Sequence, residues 1–184
     1  FVTQSVAYDH NLTDKNSGLG VLLLKDKAGS LGLKFTSVGG AYSYALNITR
    51  KHRIRMGVRC SYVWRGIDYD HLRFGDQIAN GGLSISQQRM DENVAYPDVS
   101  AGMVFFNQEE YWLGASVDHI NRPNQSLVYQ EDTRLPHKVS VHGGYNIALK
   151  KTVKKVVYSK LTVASIYKFQ QQWDQLDVGA YWTH

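Results

Sequence analysis

The sequence predicts an all-β protein and, within that class, the wall of a transmembrane antiparallel β-barrel. Three observations lead to this prediction. Apolar and polar residues alternate with a period of two along about nine segments. The connections between these segments sort into short polar turns and long loops. Aromatic residues gather near the segment ends, as they do in the belts of membrane proteins.

The composition favours many strands and excludes a transmembrane helix. The chain of 184 residues has 12 tyrosines and 16 glycines against 3 prolines, a balance typical of strand-rich proteins. It contains no apolar run of about 18 residues, the length that a spanning helix requires. The net charge of +5 accompanies no zinc-finger, helix-turn-helix or RNP pattern, so we expect no nucleic-acid partner.

Alternation predicts nine strands, and no segment has the period of an amphipathic helix. Bacterial barrels usually have an even number of strands, and an open sheet leaves unpaired backbone groups in lipid. We therefore expect one barrel domain over residues 1–184 that lacks strands of the full protein at one or both ends, unless one of the predicted strands is wrong. The predicted strands are 2–9, 18–25, 33–48, 53–66, 99–106, 111–120, 138–149, 156–169 and 175–183.

The fourth strand shows the alternation most clearly. One of its faces is apolar and the other carries four arginines. Turning this strand over would place arginines in lipid at a cost of about 2–4 kcal/mol each near the midplane, so the arginines are expected to face the lumen. The apolar set is Ile54, Met56, Val58, Cys60, Tyr62 and Trp64, and the opposite set includes Arg53, Arg55, Gly57, Arg59, Ser61 and Arg65.

The lumen face of the other strands is predicted to combine glycine with basic side chains. Glycine in a strand interior marks curvature or a close approach of other atoms, so these positions make room for a small barrel or for large neighbours. Two interpretations stay open: a lumen filled by side chains, or an anion-selective channel lined by the basic excess. The predicted lumen residues are Gly57, Gly102, Gly114, Gly144 and Gly179, with Lys138, Lys160, Lys168, Asp118, Asp177 and His142 beside the arginines.

The connections predict how the barrel is oriented. Short polar turns at 49–52, 107–110 and 150–155 fall at one end if neighbouring strands are antiparallel, and the long loops 67–98 and 121–137 fall at the other. Outer-membrane barrels have this asymmetry, with the long loops outside the cell. The aromatic residues Tyr62, Trp64, Tyr167 and Phe169 lie near the long-loop end, and Trp182 lies near the opposite end.

A hydrolase on the barrel wall is an alternative that only one assumed strand pairing supports. A hairpin with Ile120 opposite Lys138 would place Ser116 opposite His142 and Asp118 opposite Ser140. A serine nucleophile also needs an oxyanion hole, which the sequence does not supply. We therefore predict no catalytic residue, and we expect no cofactor and no metal site.

Several segments between and within the strands resemble the PorP/SprF family of type IX secretion system membrane proteins from Bacteroidetes. The resemblance covers nearly the whole chain, and its order and spacing are more specific than any one motif. The matching segments are DKAGSLG at 26–32, FGDQI at 74–78, YPDVSAGMVFF at 96–106, WLGASVDHINRPNQS at 112–126 and RLPHKVSVHGGYNI at 134–147.

The resemblance implies a non-enzymatic protein of the Gram-negative outer membrane that works in type IX secretion and gliding motility. Its implied partners are outer-membrane lipid and either the secretion or gliding machinery or the C-terminal domain of a secreted surface protein. The long loops would carry the contacts. A structural interpretation is also open, in which Asp76 and Asn121 fix turns and Pro123 stiffens a strand exit. The loop residues that match the family pattern are Phe74, Gly75, Asp76, Gln77, Asn121, Arg122, Pro123 and Asn124.

Overall fold

The computed structural model describes residues 2–28, 33–67, 93–107, 110–127, 132–151 and 157–183. These residues form nine strands and one 3-10 turn, Thr13–Lys15. Among them, no helix has the length and apolar character needed to cross a bilayer. The strands are β1 Val2–Leu12, β2 Ser17–Ala28, β3 Leu33–Asn47, β4 His52–Gly66, β5 Asn93–Asn107, β6 Tyr111–Asp118, β7 Lys138–Lys151, β8 Val157–Gln170 and β9 Trp173–Thr183.

All nine strands belong to one antiparallel sheet in which each strand pairs with its neighbours in sequence. The spatial order is β1 through β9 without a crossover. The predicted all-β antiparallel fold and the number of strands are therefore confirmed. In the described part of the chain β1 and β9 do not pair with each other, so the sheet is open.

The register places every strand residue on one of two faces, because directly paired residues share a face. Gly57 of β4 pairs with Ser43 of β3 and with Gly102 of β5, and the same rule extends the assignment to both edges. We call the face with Arg53, Arg55, Arg59 and Arg65 the polar face and the opposite one the apolar face. The predicted lumen residues of the other strands all lie on the polar face: Gly102, Gly114, Asp118, Lys138, His142, Gly144, Lys160, Lys168, Asp177 and Gly179.

Burial is inverted relative to a soluble domain. The accessible surface is 13442 Å², whereas a compact monomer of 20.9 kDa would expose about 9,000 Å². Large side chains of the apolar face are half exposed, with Val58 at 51% and Val178 at 68%. The buried hydrophobic residues of the described chain, Ala45, Val63 and Tyr96, lie on the polar face. The apolar face therefore requires an apolar environment that the described residues do not supply.

Strand β5 begins at Asn93, six residues before the predicted start at 99. The prediction was wrong at this end of the strand, which continues through Pro97 to Asn93. The carbonyl of Pro97 and both backbone groups of Val99 bond to residues 120 and 121, so at these positions the backbone faces away from β4. The N–H that proline lacks would face away from β4, so the pairing with β4 loses nothing. Strands accept proline at such positions, as they do at a sheet edge.

The loop asymmetry is present but less complete than predicted. One end, here called the short-turn end, carries the connections 13–16, 48–51, 108–110 and 152–156. The other, the long-loop end, carries 67–92 and 119–137, but also the short connections 29–32 and 171–172. Gln171 there adopts a φ of 54°, the left-handed conformation that closes so tight a hairpin. Two of the four connections at the long-loop end are therefore short.

Aromatic side chains form a belt near each end of the apolar face. At the long-loop end, the rings of Tyr62 and Trp64 are 4.8 Å apart and those of Tyr167 and Phe169 are 6.4 Å apart. At the short-turn end, His52, Phe105 and Tyr111 form a cluster with ring separations of 5.7 to 6.2 Å. Trp182 lies at the same end, where its Nε1 donates to Ser159 Oγ. The two belts bound a largely apolar band.

Candidate functional site

An ion network crosses four strands on the polar face. Arg59 of β4 donates from Nη2 to Asp118 Oδ1 of β6 at 3.0 Å and to Ser100 Oγ of β5 at 3.1 Å. Lys138 of β7 lies 3.8 Å from the other carboxylate oxygen of Asp118. Because the Arg59 side chain is 41% exposed, solvent screens the pair and limits its contribution to stability. The network therefore links β4, β5, β6 and β7. The sequence analysis placed Arg59, Asp118 and Lys138 on one face but identified no partner for Arg59.

The other arginines of β4 have different environments. Arg65 donates from Nη1 to Gln125 Oε1 at 2.8 Å, and Arg55 makes a long 3.4 Å bond to Ser43. Arg53 has no bonded partner among the described residues. An open cavity of about 600 Å³ is lined on this face by Arg55, Arg59 and Lys138, among others. The polar face therefore keeps a basic excess around this cavity.

Two aromatic rings lie over glycines of the opposite strand. Trp112 of β6 covers Gly144 of β7, and His142 of β7 covers Gly114 of β6. A Cβ atom at either glycine would overlap the ring above it. These glycines therefore make room for large neighbours, one of the two uses that the sequence predicted.

Replacing Gly144 with alanine tests this packing. Gly144→Ala is expected to displace the Trp112 ring and to lower the free energy of unfolding by about 1–3 kcal/mol, the usual cost of overpacking. Urea unfolding in lipid vesicles, followed by tryptophan fluorescence, measures the change.

Gly179→Ala is the matched control, because Ala164 pairs with both glycines in one cross-strand row. A Cβ at Gly179 meets nothing within 4 Å, so this variant should be neutral or slightly more stable. Equal losses in the two variants would contradict the account of Trp112.

The register contradicts the pairing on which the hydrolase alternative depended. Ser116 is opposite Ser140, Asp118 is opposite Lys138, and His142 is opposite Gly114. The predicted hairpin was out by two residues because β6 ends at Asp118 and His119 turns the chain with a φ of 61°. Ser116 and His142 line the same cavity but share no hydrogen bond in the described chain. The geometry needed for a serine nucleophile and its base is not formed.

The segment 119–127 after β6 is tied to the polar face. His119 Nδ1 lies 2.9 Å from Asp98 Oδ1, and the Asp98 side chain is only 8% exposed. The backbone N–H of Ile120 donates to Val99, and Gln125 accepts from Arg65. The start of the second long loop is therefore an ordered structure that lies against β4 and β5.

The side chain of Asn121 replaces a missing strand. Its Oδ1 accepts from the N–H of Val99 at 3.0 Å, and its Nδ2 donates to the carbonyl of Pro97 at 2.7 Å. These backbone groups face the side where β6 has ended, so they would otherwise lack partners in the protein. Asn121 therefore holds the segment after β6 against β5, a contact different from the turn that the sequence suggested.

The next residues of the motif also shape the loop. Asn124 Oδ1 accepts from the backbone N–H groups of Ser126 and Thr133, and the carbonyl of Pro123 accepts from Leu135. Pro123 is buried, whereas Arg122 is exposed and has a φ of 45°. Arg122 is the residue of this motif whose side chain remains available for an outside contact. The other candidate contact residues, Phe74, Gly75, Asp76 and Gln77, lie outside the described residues.

Asp98 and His119 belong to this site and were missed in the sequence. Asp98 lies on the same face as Gly102, four residues away, so the period of two would have placed it there if β5 had been extended past Pro97. No comparable signal identifies His119, because it lies beyond the last residue of β6. In the described part of the chain, no group of three histidine, cysteine or acidic residues is placed to hold a metal ion.

A protein-family model described as "Type IX secretion system membrane protein PorP/SprF" matches residues 1–184, the whole sequence. No curated protein matches the chain.

Proposed function

This chain belongs to the PorP/SprF family of type IX secretion system membrane proteins, and from that premise we propose that its sheet is the wall of an outer-membrane β-barrel. The barrel forms a single domain with the polar face toward the lumen and the long-loop end outside the cell. There it anchors or assembles with secreted surface proteins or with the secretion machinery. It does so without catalysis, as a scaffold for contacts.

The exposed apolar face is the observation that carries this proposal. Its side chains are about half accessible over all nine strands, an area far larger than the apolar patch of a typical soluble monomer. Phe105 belongs to the belt at the short-turn end and is paired with Ile54 of β4, whereas Tyr62 of β4 belongs to the other belt. The eight residues from Ile54 to Tyr62 correspond to about 27 Å of strand. At a tilt of about 40° this gives about 20 Å of height, close to the apolar band of outer-membrane barrels.

Closure of the barrel requires partners for the two edges of the sheet. Strands β1 and β9 each have one unpaired edge in the described chain, and unpaired backbone groups cost several kcal/mol each in lipid. We propose that further strands of the full protein pair with these edges.

Fractionation and co-purification test the proposed role. The full-length protein should be recovered with outer-membrane proteins, and its deletion should release at least one secreted protein from the cell surface into the medium. Arg122→Glu should reduce recovery of that protein about tenfold, which corresponds to about 1.4 kcal/mol of binding. Lys51→Glu, at an exposed position of the short-turn end, is the control and should leave recovery unchanged.

Recovery of the full-length protein in the soluble fraction would contradict the barrel. If it is membrane-bound but its deletion leaves every secreted protein at the cell surface, the anchoring role fails and the barrel stands.

A passive anion channel is the second candidate, and the basic excess around the polar-face cavity favours it. Against it, the Arg59–Asp118–Lys138 network, the Trp112 ring and the segment 119–127 all occupy the polar face. The same preparation in planar bilayers separates the two candidates. We expect no steady current, and an anion-selective current would favour the channel.

A further inference from the structure

The four arginines of β4 form a line of positive charge along the polar face. Arg53, Arg55, Arg59 and Arg65 all lie on this face, and all four are half-buried. In the described part of the chain, the carboxylate that pairs with one of them is Asp118, at Arg59. Arg53 and Arg55 form no ion pair there. This end of the line therefore carries positive charge without a counterion among the described residues.

Arg55 keeps most of its hydrogen-bonding capacity. A guanidinium presents five N–H donors. The bond that Arg55 forms among the described residues is the 3.4 Å contact of Nη1 with Ser43 Oγ, which is longer than the usual N–H···O range. Asp9 lines a neighbouring cavity of about 260 Å³ together with Arg55 but forms no ion pair with it. The other donors of Arg55 are therefore available to an acceptor from outside the described chain.

The cavity of about 600 Å³ that Arg55 and Arg59 line has a floor of small residues. Glycine in a strand allows another backbone to approach closely, and serine hydroxyls can donate to and accept from peptide groups. The floor therefore has the space and the polar groups that an extended peptide requires. It is one row across β3, β4, β5 and β6, formed by Ser43, Gly57, Gly102 and Ser116.

The spacing of the arginines indicates an elongated ligand. Arg53 and Arg59 are six residues apart, about 20 Å along the strand. Arg55 bonds toward β3 and Arg59 toward β5, so a single small anion contacts only one part of this run. Beyond Arg59 the segment 119–127 lies on the polar face. The run from Arg53 to Arg59 is therefore the part that a ligand can follow.

We propose that the polar face binds an extended acidic peptide segment, whose carboxylates bond to Arg53 and Arg55 and whose backbone lies over the glycine and serine row. Arginine clusters recognise acidic motifs, and a guanidinium can bond a carboxylate through two parallel N–H donors. The proposal rests on the proposed function, since it requires the polar face to line the lumen of a barrel. It specifies the partner's contact there as an acidic stretch of about six residues.

Binding of a hexaglutamate peptide tests the proposal. The full-length protein is reconstituted into phosphatidylcholine nanodiscs, and binding of the fluorescein-labelled peptide is followed by fluorescence anisotropy. Loss of a hydrogen bond to a charged group costs about tenfold in affinity, so the double variant Arg53→Gln, Arg55→Gln should bind on the order of a hundredfold more weakly. Labelled hexaglutamine should bind the unmodified protein about as weakly as the double variant binds hexaglutamate.

The matched control removes two positive charges from the exposed turn that precedes the same strand: Arg50→Gln, Lys51→Gln. It should retain hexaglutamate binding. Unchanged affinity in the Arg53 and Arg55 variant would overturn the proposal. An equal loss in the control would also overturn it, since binding would then follow total charge and not the two arginines.

Inorganic phosphate separates a peptide site from a site for one small anion. Linked binding groups gain about 10²–10⁴ in affinity over single ones, so phosphate should displace hexaglutamate only at about a hundredfold or more above the dissociation constant of the peptide. Displacement at a concentration similar to that constant would overturn the extended ligand.

Insertion into vesicles of phosphatidylcholine, read by protease protection, is measured on every variant. Failure of the unmodified protein to insert would overturn both this proposal and the barrel. Insertion of the unmodified protein without measurable hexaglutamate binding would overturn this proposal alone.

Discussion

Ser165→Lys is expected to lower the free energy of unfolding in lipid by about 2–4 kcal/mol, the cost of a lysine on the lipid face near the bilayer midplane. Ser165 is exposed on the apolar face of β8. It lies four residues from Phe169 in one belt and four residues from Leu161, the partner of Trp182 in the other. The charge therefore has a long way to reach either membrane surface. Urea unfolding in lipid vesicles measures the effect.

Its neighbour Ala164 gives the control, because it is also small but faces the opposite side. Ala164 pairs with Gly144 and Gly179 on the polar face and borders a cavity of about 490 Å³ that also contains Asp177. Ala164→Lys places the ammonium group near a carboxylate in that space, so we expect a loss below about 1 kcal/mol. A larger loss for Ala164→Lys than for Ser165→Lys would mean that the faces are assigned the wrong way round.

The second large effect is expected at Asp98. Asp98→Ala removes the hydrogen-bond partner of His119 from a buried position, and the loss of a buried hydrogen bond costs about 1–3 kcal/mol. The segment 119–127 should then open more often. The backbone N–H groups of Ile120 and Leu135 donate to the carbonyls of Val99 and Pro123. Hydrogen exchange at these two amides should accelerate on the order of ten- to a hundredfold.

A second acidic residue of the same loop region provides the comparison. Asp132 pairs with Arg134 at 3.0 Å, but the two side chains are 58% and 60% exposed. Exposed pairs contribute little, so Asp132→Ala should leave the exchange of both amides unchanged. Equal acceleration in the two variants would show that the His119–Asp98 contact does not hold the segment.

Strand identity and face could be predicted from the sequence, because both depend on alternation within a single segment. The arginines of β4, the five glycines and the aromatic residues of both ends were all placed on the correct face. An error of one or two residues at a strand end does not change which side a residue faces. Alternation within each segment was therefore sufficient to assign residues to the two faces of the sheet.

Pairing could not be predicted, because it depends on where strands end and how loops turn. The two-residue error between β6 and β7 arose at His119, whose positive φ has no signal in the alternation. The same error hid the partner of Asp118, which is Lys138 and not Ser140. Contacts of the loop residues were equally out of reach, since Asn121 bonds to β5 near its start, which the sequence prediction had placed six residues too late.

The pairing order has a consequence for assembly of the sheet. Every strand pairs with its sequence neighbours, so the ladders can form by successive hairpin closures. Closing a loop the length of 67–92 costs about 1.7 kcal/mol more in free energy, through lost chain entropy, than closing one the length of 48–51. The chain accordingly divides into three blocks joined internally by short connections: β1–β4, β5–β6 and β7–β9. Each block can form its own ladders early, and we expect the junctions β4–β5 and β6–β7 to close last.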